Sequence, residues 1–116
     1  MESLADRINR FWFKKAELRA RLRAAAHQGI ELSTAPAEQK ALLRDSVKRS
    51  CEVEVERLIT GAADVIPTTL VENGVYYPVE HASDAAIKAV LDRTVDELQN
   101  HIRETYRTYR IAEFVA

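Results

Sequence analysis

Apolar residues recur along this chain in three stripes of helical spacing, with one short stretch between the second and third that has the pattern of strands. In the first stripe Leu4, Ile8, Phe11, Leu18, Leu22 and Ala25 share one face of a helix turning 100° per residue. Ser3 is a candidate N-cap with Asp6 three residues on, and Gly29 is a natural stop, so a helix over about 4–28 is expected. The second stripe, Leu43, Val47, Cys51, Val55 and Leu58, predicts a helix over about 36–60, opened by Pro36 and ended by Gly61. Inside it, Cys51-Glu52-Val53-Glu54-Val55-Glu56 alternates with strand period. Helical spacing continues on both sides, which favours helix throughout. The third stripe runs through Ile87, Leu91, Val95, Leu98, Ile102, Tyr106 and Tyr109 and predicts a helix over about 84–111 capped by Ser83.

Between the second and third helices, Asn73-Gly74 separates two β-prone runs, Thr68–Glu72 and Val75–Val79. Asn-Gly supplies the two positive-φ positions of a type I′ turn, so a hairpin over about 68–79 is expected, pairing Val71 with Tyr76 and Leu70 with Tyr77. Pro67 and Pro78 keep such a ribbon short. An isolated hairpin is marginal in water, so it must lean on the helices or on a partner. The expected fold is mainly α: one domain over residues 1–116, a bundle of three long helices with one β-hairpin inserted between helices two and three.

Composition changes this picture little. With 116 residues, 47% hydrophobic and 30% charged, the chain reads as an ordinary globular domain. The net charge of −1 gives no global attraction to nucleic acid or membrane. Its distribution is uneven: residues 1–30 hold seven Lys/Arg against three Asp/Glu, and residues 61–116 hold five against nine. The basic and acidic ends are suited to attract each other across the fold. One cysteine, Cys51, leaves no internal disulfide. No stretch resembles a signal peptide or reaches membrane-spanning length, so a cytoplasmic, reducing setting and no membrane partner are expected.

Candidate chemistry is sparse. The sequence holds no Gly-rich phosphate loop, nucleophile elbow, His-Glu-x-x-His or Cys-x-x-Cys, and Glu97 and His101 lack the repeat that a di-metal bundle needs. No catalytic residue, metal or cofactor is therefore assigned, and the protein is not expected to be an enzyme. Lys15 interrupts the first stripe, and antiparallel packing would bring it near Glu54 as a structural charge pair. Trp12 flanks the first stripe and Phe13 points nearly opposite it, the mark of a second contact surface. The apolar tail around Phe114 is expected to fold onto its own bundle or to enter a neighbouring subunit.

These surplus apolar residues point to a non-enzymatic interaction or assembly module, acting by self-association, as a homo-oligomer, or by docking on a larger protein. Accessory subunits, adaptors and viral structural or anti-defence proteins all belong to that class. The expected partner contacts are Trp12, Phe13, Tyr76, Tyr77 and Phe114. An alternative is a nucleic-acid-associated regulator using the basic face of helix one, through Arg7, Arg10, Lys14 and Arg21. A third reading is a small enzyme or ligand-binding protein with a pocket under the hairpin, lined by Tyr76, Tyr77, Glu80 and His81.

Overall fold

A computed structural model of the chain describes residues 2–12 and 14–108. In chain order the elements are α1 (Leu4–Trp12), α2 (Lys15–Leu32), α3 (Ala37–Gly61), a 3₁₀ turn (Ala62–Val65), β1 (Thr69–Glu72), β2 (Val75–Pro78), a second 3₁₀ turn (Val79–His81) and α4 (Asp84–Arg107). The fold is thus mainly helical with one antiparallel hairpin. Among the described residues there are four helices rather than three long ones, and the hairpin lies between the third and fourth.

The difference arises in the first segment. Its helix breaks at Lys14, whose φ of −133° and ψ of 77° are not helical. In a continuous helix, Ile8 and Trp12 would sit about a quarter-turn away from the Leu18–Leu22–Ala25 stripe. The break lets both sets reach the core. Ile8 and Trp12 are buried, while Leu4 and Phe11, which the stripe placed inside, are only partly so. Ser3 does cap α1, its Oγ accepting the Asp6 amide at 3.1 Å.

The remaining boundaries follow the sequence closely. Pro36 precedes α3, and residues 51–56 are helical. There the inner face of Leu43, Val47, Cys51, Val55 and Leu58 is buried, which outweighs local strand period. Ser83 Oγ accepts the Ala86 amide at 3.1 Å and caps α4, worth about 1 kcal/mol. Ile87, Leu91 and Val95 on α4 are fully buried. Tyr109 and the expected end of this helix at residue 111 lie outside the described residues.

α2 is the central helix, packed against both α3 and α4. Arg19 with Glu52 and Arg44 with Glu31 align α2 and α3 antiparallel. Arg21 with Asp96 and Gln28 with Arg103 align α2 and α4 parallel. Gly29 does not end the first segment, as its position suggested. It lies buried inside α2, where a Cβ would collide with the carbonyl oxygen of Arg103 and come within 3.0 Å of Tyr106 Cβ. Helix backbones approach this closely only where a side chain is missing. The Gly29→Ala variant should therefore lose about 1–3 kcal/mol of stability through overpacking. At Gly61 a Cβ would meet nothing within 4 Å, so Gly61→Ala should stay within about 1 kcal/mol of the parent. Urea denaturation distinguishes the two; equal losses would contradict the close-approach assignment.

Candidate interaction surface

The hairpin has the expected register, with Leu70 opposite Tyr77 and Val71 opposite Tyr76. Asn73 and Gly74 have φ of 52° and 78°, as the type I′ turn requires. Alternation along β1 turns Leu70 into the core and Val71 outward, and all four residues of β2 are exposed. The outer face thus presents Val71 and Tyr76 as a cross-strand pair, with Tyr76 75% exposed; Val75 and Tyr77 are exposed as well but alternate to the face of Leu70.

The ribbon is held firmly from beneath. Glu72 accepts the Ser83 backbone amide at 2.7 Å and the Ser83 hydroxyl at 3.0 Å, so the end of β1 is tied to the cap of α4. The Val79 amide donates to the Thr68 carbonyl at 2.8 Å. Arg7 of α1 donates to the Val79 and Ala82 carbonyls and pairs with Asp84 at 2.7 Å. One guanidinium therefore joins α1, the return from the hairpin and the start of α4. Leu70, Val79 and Ala82 fill the space under the ribbon.

The other expected site residues fall elsewhere. Trp12 is not a surface contact: it is 7% exposed, and its indole N–H donates to Asp92 Oδ1 at 3.1 Å. A buried indole needs such an acceptor, and Asp92 went unnoticed because it lies 80 residues away in sequence. Phe13 and Phe114 lie outside the described residues. Lys15 reaches Glu56 Oε1 at 3.4 Å, and Glu54 pairs with Arg57, so the expected Lys15–Glu54 pair is replaced by one half a turn further along α3. Of the basic residues on the first segment, Arg7 and Arg10 meet Asp84, Lys14 meets Glu17, and Arg21 meets Asp96 and Gln99. Their charges are answered within the chain, three of them by carboxylates of α4, which weakens the nucleic-acid alternative.

Burial pushes the Cys51 thiol up, against the weaker pull of the Arg23 charge, so thiolate is scarce near neutral pH. Among the described residues no group of three His, Cys, Asp or Glu could hold a metal ion, and no described helix is long and apolar enough to cross a membrane. Tyr76, Tyr77, Glu80 and His81, proposed as a pocket lining, are exposed. A groove of about 810 Å³ opens instead between α3 and α4, lined by Leu42, Ser46, Ser50, His101, Ile102 and Tyr106 among others. No protein-family model matches the chain, and neither a curated protein nor a solved structure matches it.

Asp92 reports directly on the seating of α1. Burial raises its pKa, but hydrogen bonds from Lys88 and Trp12 outweigh that and hold it below the ordinary aspartate range. A carboxylate depressed in the folded state stabilises the fold above its unfolded pKa, and this contribution fades as pH falls through the folded value. Trp12→Phe removes one of the donors, so the Asp92 carboxyl should titrate at higher pH than in the parent, as read by NMR. An unchanged titration would show that the indole does not hold this carboxylate.

Proposed function

We propose that the protein is a non-enzymatic interaction module that assembles with a second copy or docks on a larger protein through the outer face of its hairpin. The carrying observation is the exposed Val71–Tyr76 pair on a ribbon whose other side is anchored to α1 and α4. Exposed apolar side chains are common singly. Here two lie side by side across the strands on a preorganised surface, which lowers the entropy cost of docking.

Backbone geometry supports the same reading. A two-stranded ribbon has unpaired N–H and C=O groups along its outer edges, which favour addition of a further strand. Two hairpins related by a two-fold axis would form a four-stranded sheet and bury Tyr76 against its mate. Aromatic side chains dominate interface energetics because they bury much area with few rotors.

The double variant Val71→Lys/Tyr76→Ser changes only exposed side chains, so it should keep the parent's helical circular dichroism. The parent's mass by light scattering should rise with concentration, and the variant should stay monomeric to at least tenfold higher concentration. Matching concentration profiles for parent and variant would remove the hairpin from the interface.

A further inference from the structure

α2 and α3 are clasped along one seam by two ion pairs, Arg19 with Glu52 at 2.7 Å and Arg44 with Glu31 at 3.0 Å. Between these clasps the seam is cationic on both sides. Arg23 and His27 follow Arg19 on α2 at one-turn steps, and Lys48 lies one turn from both Arg44 and Glu52 on α3. The antiparallel register sets Arg23 and His27 opposite the stretch of α3 that carries Lys48.

The carboxylates along the seam are already shared. Glu52 gives both oxygens to Arg19. That bond holds the Glu52 carboxyl below its usual range against the opposing effect of burial, and the charges of Arg23 and Lys15 add to it. Glu31 is lowered in the same way, first by its bond to Arg44, with Lys40 and His27 contributing. Among the described residues the side chains of Arg23, His27, Lys40 and Lys48 form no hydrogen bond or ion pair, and Asp45, the other carboxylate nearby on α3, pairs with none of them. Arg23 Nε is enclosed without a partner, whereas His27 and Lys48 are exposed. Arg19, Arg23, Lys40, Arg44 and Lys48 thus face only Glu31, Asp45 and Glu52, in a chain whose net charge is −1.

We propose that this seam binds the phosphate backbone of a single-stranded nucleic acid, without regard to base sequence. The cations stand in two rows about 8–10 Å apart, the spacing of packed helices, so one strand lying along the seam is reached from both sides. From Arg19 to Glu31 the seam runs about 18 Å at 1.5 Å per residue, the length of several phosphates at about 3.4 Å each in a stacked strand. Neither helix carries a Phe, Trp or Tyr, so bases find no stacking platform and binding rests on phosphates. The exposed large apolar side chains of these helices, Leu32, Leu42 and Val53, fall on other faces by helical spacing. A protein partner would need such residues at the centre of its contact. The inference is independent of the hairpin and of the cations on the first segment.

Fluorescence anisotropy of a labelled oligothymidylate of about 20 nucleotides, titrated with the full chain between about 25 and 200 mM salt, tests this. Binding should weaken with a log–log salt slope of about −2, corresponding to about three phosphates. Arg23→Gln/Lys48→Gln should weaken binding at least severalfold at low salt and flatten the slope by about 1.4, and Lys48→Gln alone, at an exposed position, by about 0.7. Arg10→Gln/Lys14→Gln removes the same charge from the first segment and should bind like the parent. All variants should keep the helical circular dichroism. Absence of binding at low salt would overturn the proposal. Equal losses in the two double variants would also overturn it, by showing attraction to charge in general. Displacement of the strand by polyglutamate at an equal concentration of charge would overturn it in favour of an acidic protein partner.

Discussion

The contact on which this structure depends is the close passage of α2 and α4 at Gly29. There the Arg103 carbonyl occupies the volume that a side chain on α2 would need. The approach sets the relative height of the two helices, and it brings Arg21 opposite Asp96 and Gln28 opposite Arg103. These polar pairs are largely exposed and add little stability themselves. They agree with a register that packing has already fixed. Because α2 also carries α3 along its other side, the height of α4 determines where its N-terminus, and so the hairpin, is presented.

That presentation is what links the fold to the proposed docking face. The basic first segment meets the fourth helix through Arg7 and Asp84. Arg7 spends its donors on Asp84 and on the Val79 and Ala82 carbonyls. Glu72 binds the α4 cap from the hairpin side. The ribbon is consequently supported on one face and bare on the other, the arrangement expected of a docking surface. Away from the hairpin, α3 and α4 both pack on α2 and leave a groove between them.

Much of this was legible in the residues. Asn73-Gly74 specified the hairpin and its register because few dipeptides tolerate two positive φ values. Pro36, Gly61 and Ser83 marked helix ends through local chemistry, and the buried faces of α3 and α4 followed their apolar spacing. What escaped sequence reading was set by tertiary structure. Gly29 looked like a helix terminator, since a glycine that ends a helix and one that admits a neighbouring backbone are identical in sequence. The break at Lys14 was concealed because Leu4, Ile8 and Phe11 continue the stripe acceptably. The buried pair, Ile8 and Trp12, differs from it only in phase. Trp12 was assigned to the surface because its acceptor, Asp92, is remote in the chain, and Lys15 met Glu56 because helix register cannot be fixed to half a turn from spacing.

If α2 is clamped between α3 and α4, it is the most cooperative element of the fold. Native-state hydrogen exchange reads this directly, because amides that open only on global unfolding report the full stability of the protein. The amides of Leu22 to Ile30 should be among the slowest to exchange and share the free energy of global unfolding, together with those around Leu91 and Val95 on α4. If the α2 amides exchange through local opening at markedly lower free energy while α3 and α4 remain protected, α2 is not the helix that holds the bundle together.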